Sequence, residues 1–210
     1  MDFNHFLTSY MPDPNIGSKQ HFKHMLDQSV LAEKLGYVAV SIPEHHLVNI
    51  LMMPSPLQMA VKISSLTNKI RLSTSVAVLP IHDMRTFAGE VATADILTEG
   101  RLVLGVGRGA FAWELDRLGT PIESSKEKFI ESLEVLNSLL SKENYSFKGK
   151  YYKIENYNNK KLFDEAKLFS IWYVPKFISK NKQLKFNKLI KEQITFLLSK
   201  IKLKNNIFVH

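Results

Sequence analysis

The stretch Gly100-Arg101-Leu102-Val103-Leu104-Gly105-Val106-Gly107-Arg108-Gly109 combines residue types suited to holding an anion. It starts as an apolar run, Leu102 to Val106, of the kind that forms a strand buried on both faces. It ends with glycines at the alternate positions 105, 107 and 109 and an arginine between the last two. Glycine at the mouth of a strand permits positive φ and close backbone approach to a ligand. Arginine there offers a planar fork of donors that suits phosphate. Two readings stand: a phosphate-accepting turn, or a plain tight turn with a surface arginine, and the ten residues alone lean to the second. Further on, Ser124-Ser125-Lys126-Glu127 has capping-box spacing, with Ser124 as N-cap and Glu127 three residues later. That places Lys126 in a first helical turn, where a cation opposes the helix dipole unless an anion is bound. The alternative is a solvated surface lysine. Glu44-His45-His46, directly after Pro43, is the third cluster of unusual residues.

The elements that must position these residues repeat. Phe3 to Ser9 reads as a first strand, and Ser18 as N-cap of a helix from Lys19 to Leu35 that Gly36 stops. Tyr37 to Ile42 is a second strand. Ser55-Pro56 opens a helix to Leu66, Ile70 to Leu79 is a third strand, and Asp83 caps a helix to Leu97. The decapeptide supplies the fourth strand. Strand starts at 3, 37, 70 and 101 enclose one helix each, a βα repeat with a parallel sheet. The unusual residues follow successive strands: Tyr10-Met11, Glu44-His45-His46, Ile81-His82 and Gly105 to Gly109. A doubly wound dinucleotide fold places its glycine loop after strand one, and strand one here has none. The (β/α)8 barrel, whose functional groups converge from several loops on one face, is the fold expected. A short helix from Phe111 to Leu118, a helix from Ser124 to Leu140 and a hairpin over Tyr145 to Ile154 complete this part.

Composition divides the 210 residues in two. Residues 158–210 carry 12 Lys against 3 acidic residues, while the rest holds 16 basic and 17 acidic. The net charge of +8 therefore belongs to the tail, and no nucleic-acid motif accompanies it. All nine glycines lie at or before Gly149, and no alanine follows Ala166. With no cysteine, disulfides and thiolate metal sites are excluded; no metal site is expected. No signal peptide and no membrane-spanning run is visible, so the expected location is cytoplasmic, without membrane or nucleic-acid partners.

Five stretches, in order and in spacing, resemble the bacterial luciferase-like flavin monooxygenases, which are (β/α)8 barrels. They are Phe6 to Pro12, Pro43 to His46, Thr74 to Pro80, Gly100 to Gly109 and Gly119-Thr120, and together they span residues 1 to about 157. The family's Glu-His-His matches Glu44-His45-His46, and its first histidine is catalytic, so the resemblance implies His45, with Glu44 beside it, at the reactive edge of the flavin. Handling a proton around neutral pH suits imidazole. Ser75-Val76 falls where relatives carry a non-proline cis peptide beneath the flavin ring. Arg108, between Gly107 and Gly109, matches a phosphate-binding arginine, and Lys126 a second basic position that reaches the same phosphate. Relatives use FMN or a deazaflavin, and the Glu-His-His loop points to FMN.

The resemblance implies a monooxygenase that takes reduced FMN from a separate flavin reductase and uses O2 to oxidise a small organic substrate. Two other readings are a flavin-binding protein without catalysis and a non-functional remnant. Relatives exceed 300 residues, so the barrel is expected to stop after about four βα units. Residues 1–157 then form a partial luciferase-like barrel. Residues 158–210 form an atypical tail, encoded out of frame or by read-through, with Leu168 to Val174 as a fifth strand and Phe186 to Ile201 as a helix. A half barrel leaves two unpaired edges, which a homo- or hetero-oligomer would cover.

Overall fold

The computed structural model describes residues 1–49, 51–142, 145–155 and 158–200. They form two compact units, one of residues 1–141 with 149–152, the other of the remaining described residues.

In the first unit the four expected strands form one parallel sheet in chain order. They are β1 (Asn4–Phe6), β2 (Ala39–Ile42), β3 (Arg71–Thr74) and, after a short β4 (Ala77–Val78) outside this sheet, β5 (Leu102–Val103). The register runs Phe6 opposite Ser41, Ser41 opposite Ser73 and Ser73 opposite Val103. Side chains alternate across a strand. Val40, Ile42 and Leu72 therefore point to one face, where they are buried with Met25 and Ala32 of α1 (Ser18–Lys34) and Ala60 and Ile63 of α2 (Pro56–Ser64). The alternate positions face the other way, and there Phe6 is 56% and Val103 42% exposed. Helices on one face and a sheet without order reversal are the arrangement of a β/α barrel wall, as expected.

Helix boundaries follow the local signals. Gly36, at φ 84°, ends α1, and the Tyr37 amide reaches back to the Ala32 carbonyl over 3.0 Å. Ser18 is the first helical residue rather than the cap, which falls on Gly17. Pro56 occupies the first turn of α2. Asp83 caps α3 (Met84–Leu97) by accepting from the Arg85 amide. The short helix after the glycine turn is α4 (Ala112–Arg117).

Three further expectations are corrected. The third and fourth strands are each interrupted: β3 gives way at Ser75-Val76 to β4, and β5 at Leu104-Gly105 to β6 (Val106–Gly107), with β4 and β6 pairing apart from the main sheet. Helix α5 runs Ile122–Ser141, so Ser124 is not its N-cap. The Ser124 hydroxyl instead bonds the Pro121 carbonyl, and Lys126 lies beyond the first turn. Proline at 121 starts the helix early by fixing φ just before it. Third, Leu168 to Val174 is not a strand but the end of α6 (Asn159–Trp172) and the start of α7 (Val174–Phe177).

The second unit contains α6, α7 and α8 (Lys180–Lys200). Asn158 caps α6 by accepting from the Lys161 amide. Phe169, Tyr173 and Phe177 stand four residues apart, and their rings stack at 4.7 and 4.3 Å between centroids. That spacing rewards helix over strand for this aromatic run. The helix expected over Phe186 to Ile201 is α8, except Ile201, which lies outside the described residues. No residue of α6 or α8 is buried. The expected hairpin is present: β7 (Phe147–Lys148) pairs antiparallel with β8 (Lys153–Ile154). Among the described residues, no helix is long and apolar enough to cross a membrane.

Candidate functional site

At the carboxyl ends of the strands, a cavity of about 130 Å³ is lined by Glu44, His45, Ser75, Val76, Gly109, Phe111 and Glu114, among others. Parallel β/α sheets bind ligands at this end, where successive loops converge.

The loop after β2 is pinned on both sides. The His45 amide donates to the Met53 carbonyl at 2.9 Å, and the Met52 amide to the Ser9 carbonyl at 2.9 Å. Glu44 is thereby turned inward and its side chain is fully buried. It accepts from the Val78 amide at 2.6 Å, from His46 Nε2 at 2.9 Å and from His82 Nε2 at 2.8 Å. Burial disfavours its charge, but those hydrogen bonds outweigh burial and bring its pKa down to about 2. The same hydrogen bond, donated by His46 to Glu44, raises the pKa of His46 against its own burial. A carboxylate accepts only, so both imidazoles carry hydrogen on Nε2. Among the described residues, no three His, Cys, Asp or Glu groups are set to hold a metal ion.

His82 is held from three sides. Its ring stacks on Phe87 at 4.4 Å, its amide donates to the Leu79 carbonyl, and its carbonyl accepts from the Tyr152 hydroxyl at 3.0 Å. Glu44 thus ties the ends of β2 and β4 and the loop after β4 into one knot.

His45 points elsewhere. Its ring lies 5.4 Å from that of Phe111, and its Nδ1 is buried with no hydrogen-bond partner. The nearest carboxylate oxygen is Glu114 Oε2, 3.5 Å away, while Glu114 Oε1 accepts from the His46 amide. Glu114 sits on α4. Buried Leu115 seats that helix, and the Thr120 hydroxyl ties its end to the Pro80 carbonyl at 2.9 Å.

The glycines line up along the broken third strand. A Cβ at Gly105 would stand 2.2 Å from the Thr74 carbonyl oxygen, and one at Gly107 2.5 Å from Val76 Cγ2. At Gly109, which has φ +85°, it would stand 2.9 Å from Val78 Cγ1. The Ser75-Val76 peptide is cis, as the resemblance implied. Its ends are fastened by the Ser75 amide to the Ile42 carbonyl at 2.7 Å and the Ala77 amide to the Gly105 carbonyl at 2.8 Å.

The structure therefore brings Glu44, His45, Ser75, Val76 and Gly109 to one cavity, with Gly107 directly against Val76. Arg108 and Lys126 are exposed and line no part of it. Glu114 does not stand out in the sequence, and His82 is marked there only by its place after a strand. The signal for Glu114 was its place beside Leu115 on the buried side of a short helix following the glycine turn.

The chain matches the family described as luciferase-like monooxygenase over residues 1–164. It is 32% identical over 154 residues to an uncharacterized protein of Sinorhizobium fredii, covering 73% of this chain and 44% of that one. It is 29% identical over 136 residues to the oxygenase component of a flavin-dependent trigonelline monooxygenase of Acinetobacter baylyi, covering 64% of this chain and 38% of that one. Among solved structures it resembles the oxygenating constituent of 3,6-diketocamphane monooxygenase of Pseudomonas putida in complex with FMN. There the TM-score is 0.69 at 22% identity, covering 73% of this chain and 43% of that one. The chain spans less than half the length of each of these relatives. By the match over residues 1–164, it belongs to the luciferase-like monooxygenase family.

Proposed function

We propose that the cavity at the strand ends is one wall of a flavin site, and that the protein acts in the oxidation of a small organic substrate by O2 with reduced FMN. The observation that carries this is His45: a half-buried imidazole lining the cavity together with Ser75, Val76 and Gly109, where the loops after three strands meet. These features fit a flat ring bearing polar edge atoms. The cavity, at about 130 Å³, is below the roughly 300–1,000 Å³ of complete small-molecule sites, so it takes a ring edge rather than a whole nucleotide.

Reduced FMN, when bound, supplies the electrons with which O2 is activated. The residues of this chain do the rest of what can be assigned. Glu44 stays ionised and holds the loop in place through His46, His82 and Val78. His45 takes or gives a proton at the cavity. Ser75-Val76 and Gly107 to Gly109 shape the wall, and Arg108, with Lys126, binds the phosphate by charge. The deazaflavin alternative shares this wall; the Glu-His-His loop favours FMN. The relative named as an oxygenase component supports delivery of reduced FMN by a separate reductase. In this reading residues 1–157 carry the flavin wall, residues 158–210 are an appended segment, and the protein works in the cytoplasm.

The test is anaerobic titration with reduced FMN, followed by mixing with O2. Binding is expected, with reoxidation at a rate unlike that of free reduced FMN. His45→Gln is expected to bind as the parent does but to lose the effect on reoxidation by about 100-fold. No binding, with reoxidation as for the free flavin, overturns the proposal.

A further inference from the structure

His45 has two ring nitrogens, and they face different surroundings. Nδ1 is buried, 3.5 Å from Glu114 Oε2 and against the Phe111 ring. Proton exchange with the cavity therefore falls to Nε2. Glu44, the other carboxylate at the cavity, is occupied: its oxygens accept from His46, His82 and the Val78 amide. Glu114 grips His45 twice, once beside the ring and once through the amide of the next residue.

We infer that Glu114 is the positioning residue of His45, accepting from Nδ1–H and so leaving the Nε2 lone pair to the cavity. The inference rests on the reading of His45 as the group that handles a proton, but the geometry is independent of which ligand is bound. A carboxylate offers only acceptors, so the tautomer with hydrogen on Nδ1 is the one it stabilises. A ring whose second nitrogen faces a carboxylate is fixed in tautomer and orientation, as in catalytic triads. The 3.5 Å separation is long for a hydrogen bond, and such contacts shorten when a ligand fills the site.

Glu114→Gln makes the sharpest probe. The His46 N–H needs an acceptor, so the oxygen of the new side-chain amide stays on that side, the orientation the backbone imposes. The amide NH2 then faces Nδ1, which can only accept, and the ring hydrogen moves to Nε2.

The experiment is 15N NMR of histidine-labelled full-length protein without flavin, near neutral pH, with His45 assigned by its loss in His45→Gln. The parent is expected to show a protonated Nδ1 and bare Nε2 at His45. Glu114→Gln is expected to show the reverse. It is also expected to lose at least tenfold of the effect on reduced-FMN reoxidation, with the dissociation constant for reduced FMN within about twofold of the parent. Hydrogen on Nε2 in the parent overturns the inference, as does an unchanged tautomer in the variant. If the variant does not fold, the parent spectrum alone decides. A tautomer switch in protein that binds no flavin would sustain this inference while the proposed function fell.

Discussion

Gly107 lies directly against Val76, so that a Cβ added at 107 would come within 2.5 Å of Val76 Cγ2. Valine has one short, stiff side chain and cannot swing away as a long one does. Gly107→Ala is expected to destabilise the fold by about 1–3 kcal/mol, the cost of forcing a methyl group into a filled space. Urea unfolding of the variant beside the parent reads this directly. Equal midpoints would mean that the strand pair has room to part.

Glu44 makes stability depend on pH at the acid end. Its pKa in the folded protein is about 2, below the ordinary carboxylate value of 4.5, so the stabilisation is complete above that ordinary value and is lost as pH falls through about 2. A difference of this size corresponds to about 3 kcal/mol. His46 acts in the opposite sense. Its pKa is raised from 6.5, so its contribution is full below that value and is lost as pH rises through the raised pKa. Stability measured by denaturation at a series of pH values should therefore be highest between about 4.5 and 6.5. Glu44→Gln should flatten both flanks and lower the maximum by about 3 kcal/mol, because the buried donors would face an amide in place of a carboxylate. A variant that keeps the parent's pH profile would refute the knot.

Arg108 and Lys126 are exposed, and substitution at either should leave folding stability within about 0.5 kcal/mol of the parent. Their effects on FMN binding should differ. Arg108 stands in the glycine turn, and Arg108→Ala is expected to weaken binding by about tenfold or more, the value of a charge-assisted hydrogen bond. Lys126 lies beyond the first turn of α5, and Lys126→Ala should do less. Flavin fluorescence titration at low and high salt checks both, since a phosphate held by surface charge is released by salt.

The Tyr152 hydroxyl is held by the Ser132 hydroxyl and the His82 carbonyl, each at 3.0 Å. Tyr152→Phe should cost about 1 kcal/mol in thermal or urea unfolding. It leaves the His82 carbonyl without this donor, so His82 should also lose order, seen as a broadened imidazole signal. An unchanged signal would show that stacking on Phe87 suffices to hold the ring.

Much of the fold was legible because its signals are local. Alternation of apolar strands with capped helices needs no knowledge of distant residues: Asp83 caps its own helix, Gly36 stops its own helix, and the spacing of strands sets the repeat. Glu44 and His45 were legible as a cluster because they adjoin in sequence, and Ser75-Val76 because a family resemblance covered it. Leu168 to Val174 misleads when residue type is weighed over spacing. Aromatic and β-branched residues suggest strand, yet Phe169, Tyr173 and Phe177 recur at the helical interval, and stacking decided the outcome.

What the tertiary structure alone decided is the division of labour among the charged groups. Sequence placed Glu44 with His45 as neighbours; folding turned Glu44 away to His46 and His82 and set Glu114, from far along the chain, beside His45. It also gave the alternate glycines a second task, since Gly105 and Gly107 admit the backbone and side chain of the adjacent strand. The physical reason is common to both. Which face of a loop is buried, and which carboxylate meets which imidazole, depend on the register of strands that are neighbours in space but some thirty residues apart in the chain.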